Sequence, residues 1–169
     1  MRSGVWVNGV YQEVNTVVPS SLTSNPQTIE ELRIENGSYN DSSVTELKLS
    51  GLIRVKRIVI GDDCFGSVRV FELDGLFELE SVVLGQKSFT FAKTDSEIWN
   101  NGVDKRSDGV CRIVNCPKLK SIQIGDHSLS DYHSFELNNL PSLQSIEIGV
   151  RCFFWTPSFS LTGLIDWLD

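Results

Sequence analysis

A repeated unit is the feature of this sequence that most limits its fold. Residues 119–149 read LKSIQIGDHSLSDYHSFELNNLPSLQSIEIG, in which SIQIG returns as SIEIG one unit later. A unit of this length cannot bury an apolar face alone, so repeated units stack and share a continuous core. A repeat that extends along the chain therefore sets the pitch of the whole molecule.

Five units fit one template. Residues 56–79 and 120–143 hold 24 residues each, and residue 144 opens the last unit. Residues 80–119 hold one unit together with 16 inserted residues, and residues 28–55 fit more loosely. The shared pattern is L-x-x-I-x-I-G-x-x-[CS]-F-x5-F-x-L-x-x-L-x-x-L. Its recurrence in five units is poorly explained by chance.

Each unit contains two stretches in which apolar residues lie two apart, the period of a strand with one buried face. The first-stretch pairs are Leu32 and Ile34, Ile58 and Ile60, Val82 and Leu84, Ile122 and Ile124, Ile146 and Ile148. The second-stretch pairs are Leu47 and Leu49, Phe71 and Leu73, Cys111 and Ile113, Phe135 and Leu137, Phe159 and Leu161. Stacked in this register, the pairs predict an all-β solenoid of about five coils, with two short parallel-stacked strands per coil and little helix.

Turn residues support the same register, which was chosen from apolar positions alone. A glycine follows the first stretch in four units, where a corner needs either a positive φ or room for another backbone: Gly61, Gly85, Gly125 and Gly149. Gly or Asn follows the second stretch in every unit, and both residues enter the left-handed region readily: Gly51, Gly75, Asn115, Asn139 and Gly163.

The outward position of the second stretch carries charges of alternating sign. This column, the charge strip, consists of Lys48, Glu72, Arg112 and Glu136, followed by Ser160. As lateral neighbours these side chains would form exposed pairs worth roughly 0.2–1 kcal/mol each. They serve either as a solvated surface that fixes register or as an electrostatic strip that recognises a partner.

The runs LKSIQIGDHSL, LESVVLGQKSF and VKRIVIGDDCF resemble the L-x-x-I-x-I-G-x-x-A-F signature of the BspA-like class of leucine-rich repeats. The resemblance covers about residues 29–164, although Cys or Ser stands where the family has Ala, and the first unit lacks the corner glycine. It implies a curved solenoid that recognises other proteins without catalysis. It implies no catalytic residues and no cofactor.

The ends of the repeat array differ. Residues 1–28 are predicted to form an N-terminal cap, because Asn8-Gly9 between short apolar runs favours a type I′ hairpin. The solenoid is assigned to residues 29–169 within a single domain. Trp167 occupies the position of Leu143 and could close the core, but no polar cap follows it. The chain is therefore either part of a longer array or associates with another molecule, including another copy, through its last coil.

The insertion, near residues 92–108, is predicted to be a loop on one side of the solenoid. It contains Trp99, Lys105 and Arg106 in a stretch otherwise rich in polar residues. Because Trp and Arg are frequent interface anchors, these three residues are candidate partner contacts together with the charge strip. Alternatively, Trp99 folds back onto the solenoid.

The four cysteines are predicted to be buried and free of metal. Cys64, Cys111, Cys116 and Cys152 all fall on interior positions of the template, and none forms a metal-ligand spacing.

Two alternatives to protein recognition remain. A polysaccharide-acting enzyme needs converging carboxylates, but Asp62 and Asp126 are separated by the Gln86 coil. A carbohydrate-binding solenoid would use exposed Trp155, Trp99 or Tyr132. The enzyme is the weaker alternative.

Composition narrows the partner and leaves the compartment open. A net charge of -7 without a basic run argues against nucleic acid. No apolar stretch predicts a signal peptide or membrane insertion. These features favour the cytoplasm slightly, whereas the family resemblance allows a surface-exposed or secreted parent protein.

Overall fold

The computed structural model describes residues 4–7, 10–13, 29–91, 94, 96 and 106–164, and for residues 4–7, 10–13, 106 and 107 it describes the backbone only. These residues form strands and almost no helix. The strands are β1 Gly4–Val7, β2 Val10–Glu13, β3 Glu31–Ile34, β4 Glu46–Leu49, β5 Arg57–Ile60, β6 Val70–Asp74, β7 Ser81–Leu84, β8 Arg106–Val114, β9 Ser121–Ile124, β10 Tyr132–Leu140, β11 Ser145–Ile148 and β12 Ser158–Leu164.

The strands build two sheets that the chain visits in turn. One sheet has the order β11-β9-β7-β5-β3-β1-β2, and the other has the order β12-β10-β8-β6-β4. Every pairing between successive coils is parallel. The predicted all-β solenoid of about five coils with two strands each is therefore confirmed.

The predicted register is also confirmed. Ile58 lies opposite Leu32 on one side and Val82 on the other. In the second sheet, Cys111 lies between Phe71 and Phe135. These inward columns are almost completely buried in the first four coils and form one continuous core, which gives each short strand the packing that it cannot achieve alone.

An aromatic column continues the core through the turn between the sheets. The rings of Tyr39, Phe65 and Phe89 stack on one another at centroid distances of 5.2 and 5.0 Å. Each of these residues has a positive φ, as do Leu129 and Phe153 at the same position in later coils. A bulky residue rarely adopts this conformation. Here the left-handed turn directs each side chain into the core.

The residues that follow the first and the second strand of each coil are small or turn-forming for different reasons. Gly51, Gly75, Asn115, Asn139 and Gly163 all have a positive φ, as predicted. The glycines after the first strand are not among the residues with positive φ. At Gly85 a Cβ would lie 2.5 Å from Asp62 N and from Asp62 Oδ1. Those glycines are needed because the preceding coil approaches too closely for a side chain.

At the N-terminal end, β1 and β2 form an antiparallel pair, and β1 also pairs antiparallel with β3. The pair extends the seven-stranded sheet by two strands. Asn8 and Gly9, the predicted turn, lie outside the described residues. The strand β8 begins at Arg106, so the predicted loop of residues 92–108 ends earlier than the sequence suggested.

Candidate functional site

The charge strip is a connected ion-pair network at its centre. Arg112 Nη1 lies 2.9 Å from Glu72 Oε2, and Arg112 Nε lies 2.8 Å from Glu136 Oε2. The network links β6, β8 and β10, as the register predicts. The hydrogen bond to Glu136 raises the pKa of Arg112, and the charges of both glutamates act in the same direction.

Lys48 departs from the expected lateral pairing. Its Nζ lies 2.6 Å from Glu46 Oε2 on the same strand, because residues two apart on a strand share a face. The hydrogen bond to Glu46 raises the pKa of Lys48, and Glu72 adds only a smaller charge effect. The charge strip thus divides into a central network and a separate pair on β4.

A second charge ladder precedes the strands of the other sheet. Lys56 Nζ lies 3.0 Å from Glu30 Oε2, and Lys120 Nζ lies 2.8 Å from Glu80 Oε2. One position of successive units carries charges of alternating sign and ends in a neutral residue: Glu30, Lys56, Glu80, Lys120 and Gln144. The sequence therefore contained the signal for this ladder, although the ladder was not predicted. Both ladders bind neighbouring coils to each other, which is a structural role.

Inside the first corner, a column of thiols and hydroxyls binds backbone carbonyls of the preceding coil. Ser88 Oγ donates to Gly61 O at 2.8 Å, and Ser128 Oγ donates to Gly85 O at 2.6 Å. The Sγ atoms of Cys64 and Cys152 contact Glu35 O at 3.0 Å and Gly125 O at 3.1 Å. In the second to fifth units, the position that is Cys or Ser is therefore a hydrogen-bonding position, whereas the Ser38 hydroxyl at the same place in the first unit has no hydrogen-bond partner among the described residues.

The cysteines are free thiols. Cys64, Cys111 and Cys116 are buried as predicted, whereas Cys152 is only partly buried. Cys152 is less buried than predicted, because it lies in the last coil, where no later described coil packs upon it. Burial raises the pKa of Cys111, and it raises the pKa of Cys116 and of Cys152 to about 11. Thiols with such pKa values are weak nucleophiles at neutral pH.

The aligned carboxylates are used to hold backbone. Asp62 Oδ1 accepts a hydrogen bond from Gln86 N at 2.8 Å, and Asp126 Oδ1 accepts one from Val150 N at 2.9 Å. Each therefore anchors the coil that follows it. The described part of the chain contains no group of three or more His, Cys, Asp or Glu side chains that could hold a metal ion. Within that part there is also no helix with the length and hydropathy to cross a membrane.

The predicted aromatic contacts have different outcomes. Tyr132 is completely buried and its hydroxyl donates to Val68 O at 2.7 Å, so the prediction that it offers an exposed platform was wrong. Trp155 is partly buried and its ring meets that of Phe154 edge-on at 5.0 Å. Trp99 and Lys105 lie outside the described residues, and of Arg106 only the backbone in β8 is described.

The strongest anomaly is the terminal coil, residues 144–164. Phe159 is 53% exposed and Leu161 is 54% exposed, although Phe135 and Leu137 at the same positions one coil earlier are at most 2% exposed. Of the eight large apolar side chains that are exposed in the described part of the chain, five belong to this coil: Ile148, Val150, Phe154, Phe159 and Leu161.

The terminal coil also carries the last strand of both sheets. β11 and β12 each pair with one described strand only, β9 and β10 respectively. Between them a recess of about 220 Å³ is lined by Leu143, Gln144, Ser145, Ile146 and Leu164. An exposed apolar surface bordered by two strand edges can receive further strands. The sequence predicted that this coil could contact another molecule, but it did not identify the exposed residues.

A scan against models of protein families, a search of curated proteins and a search of solved structures each found no match. The function is therefore inferred from the residues and geometry of this chain.

Proposed function

We propose that this chain is a non-catalytic protein-interaction module of the BspA-like leucine-rich-repeat type, which its repeat signature resembles. The observation that carries the proposal is the exposed apolar surface of the terminal coil, with Ile148, Phe159 and Leu161 about half exposed. Contiguous exposed apolar surface on a folded domain marks interaction sites, because its contact with water is unfavourable.

The strand edges favour a polypeptide over a carbohydrate. An edge strand presents alternating N–H and C=O groups at the spacing of another strand, and strand addition satisfies them with main-chain hydrogen bonds. Both β11 and β12 offer such edges. Sugars are recognised by aromatic faces combined with polar groups, whereas Ile148, Val150 and Leu161 are aliphatic.

The alternative candidate surfaces support the proposal less directly. In the charge strip, Arg112 already binds both Glu72 and Glu136. An incoming charged partner would have to compete with these pairs. The strip is therefore a secondary contact at most, and the terminal coil is the primary surface.

Site-specific photo-crosslinking tests the proposal. p-Benzoylphenylalanine would replace Phe159 on the terminal coil or, as a matched control, Phe77, which is 58% exposed on a turn of an inner coil. We expect irradiation in a lysate of the organism that makes the protein to give polypeptide adducts from position 159 and none from position 77.

Absence of any polypeptide adduct at position 159 would contradict the proposal, as would equal adduct formation at both positions. A glycan array tested with the unmodified chain addresses the carbohydrate alternative. Specific glycan binding that is lost in Trp155→Ala would favour that alternative.

A further inference from the structure

We propose that the terminal coil binds a second copy of the same chain, so that two molecules join at this end with two-fold symmetry. The inference rests on the proposed function, since it names the partner for the same surface. Three properties of the coil support it: its two strand edges, its charges and its position at the end of the described solenoid where inward side chains are exposed.

The two strand edges place a strict geometric demand on a partner. β11 and β12 belong to different sheets but to one coil, so a partner that completes both must offer two edges at the same separation, with an apolar surface between them. A second terminal coil offers the same two edges at the same separation. A two-fold axis across the join reverses the strand direction, so edge strands of the two copies meet antiparallel, which is a normal sheet arrangement.

The charges of the coil suit contact with an identical surface. The charge strip ends in the neutral Ser160, and the second ladder ends in the neutral Gln144. A third column contains Asp62 and Asp126, whose carboxylates anchor the following coils. It ends in Val150, which is 66% exposed. In a two-fold interface the same surface of both copies is in contact and residues near the axis meet their own copies, so neutral residues at the ends of these columns avoid contacts between like charges.

The few remaining charges do not oppose such a join. Residues 144–164 contain one acidic and one basic side chain, Glu147 and Arg151. The coil of residues 56–79, by comparison, contains eight charged side chains. Loss of charge from the coil that carries the exposed apolar surface is the pattern expected at the centre of a protein interface.

At the opposite end of the described solenoid, β4 is an edge strand of the five-stranded sheet, but the inward apolar side chains of the first coil are buried. There β1 and β2 continue the seven-stranded sheet beyond β3. The inward side chains of the first coil, including Leu32 and Leu47 at 1% exposure, are buried. Head-to-tail stacking would need an exposed apolar face at both ends and would grow into a filament. Within the described solenoid the inward apolar side chains are exposed at the terminal coil and buried at the first coil, so the proposed association stops at a dimer.

The test is sedimentation equilibrium of the full 169-residue chain over a concentration series from about 1 μM to about 1 mM. We expect the mass to rise from the monomer value of 18.9 kDa to twice that value and then to stop. Mass that stays at the monomer value over the whole series overturns the dimer, and mass that rises beyond two copies overturns the two-fold join.

A charge-swap pair makes the test specific. Ser160 lies on the outward column that carries Lys, Glu or Arg in the other coils, so Ser160→Glu and Ser160→Lys should fold normally, which circular dichroism would verify. Each variant alone should dimerise about tenfold or more weakly than the parent chain, because like charges approach across the join. An equimolar mixture should recover the association, and no recovery would contradict the arrangement.

The apolar contact is tested by Leu161→Glu, with Phe77→Glu as the control on an inner turn. Only Leu161→Glu should abolish the dimer. The crosslinking result at Phe159 separates the two proposals: adducts with a different polypeptide, combined with a monomeric chain, would retain the interaction function and reject the dimer.

Discussion

Ser88 shows how one side chain binds two backbone groups of the preceding coil. Its Oγ accepts a hydrogen bond from Cys64 N at 3.1 Å and donates one to Gly61 O at 2.8 Å. Ser128 repeats the arrangement with Ser88 N and Gly85 O. Because Ser88 is completely buried, no water can replace its hydroxyl at low cost.

Ser88→Ala should therefore lower the free energy of unfolding by about 1–3 kcal/mol, the cost of leaving buried backbone groups without partners. Ser88→Cys should lower it less, since Cys64 makes the same carbonyl contact one coil earlier. Guanidinium unfolding followed by circular dichroism measures both. An unchanged Ser88→Ala protein, or equal losses in the two variants, would refute the assigned role.

The sequence showed which residue types occur at the corner positions and in the Cys or Ser column, but not always why they are needed there. The requirement for Gly or Asn after the second strand was correct, because only a left-handed backbone explains both residue types. At Gly85 the sequence left positive φ and close approach as alternatives, and only coordinates could show Asp62 lying where a Cβ would project. The Cys or Ser column was identified as interior, but a sequence alignment does not contain the carbonyl that each side chain binds.

At the scale of the strand, charge ladders hold adjacent coils in register. Glu80 lies beside Lys120 at the start of β7 and β9. The hydrogen bond from Lys120 lowers the pKa of Glu80 below its ordinary value of 4.5, and the charge of Lys120 acts in the same direction. A lowered pKa in the folded state stabilises the fold above the unfolded-state pKa, and this contribution is lost as pH falls through the folded-state pKa.

Lys120→Met should raise the pKa of Glu80 towards its ordinary value of 4.5. In the parent chain, Glu80 contributes to the loss of folding stability as the pH falls below about 4.5, because its carboxylate binds protons more readily in the unfolded state. Lys120→Met should remove this contribution. Carboxylate-detected NMR titration gives the pKa directly. Lys87→Met is the control, since Lys87 does not contribute to the Glu80 shift. A Glu80 pKa that is the same with and without Lys120 would contradict the ladder.

Strand register was predictable because it depends on which residues are apolar, and that information is local to the sequence. Every predicted inward pair has its expected partner in the adjacent coil. The start of β8 at Arg106 was missed because the insertion interrupts the template there. The Lys48 contact was missed because lateral and same-strand partners compete, and side-chain geometry decides between Glu72 and Glu46.

For the whole molecule, a solenoid makes each coil depend on its two neighbours. The terminal coil has only one neighbouring coil in the described solenoid, and it exposes apolar residues that the inner coils bury. The sequence indicated that the last coil could contact another molecule, but Trp167, which was predicted to close the core there, lies outside the described residues. The exposed fractions of Phe159 and Leu161 turn that indication into a defined surface.

Hydrogen exchange tests the proposed assembly at this scale, because β4 and β12 are the two edge strands of the same sheet at opposite ends. In a monomer, the N–H groups of each edge that point away from the sheet exchange quickly. If two copies join through their terminal coils, raising the protein concentration should slow exchange in β11 and β12 and leave β4 unchanged. Head-to-tail stacking would instead protect β4 and β12 together. If hydrogen exchange in β11 and β12 does not depend on protein concentration, the proposed dimer is contradicted.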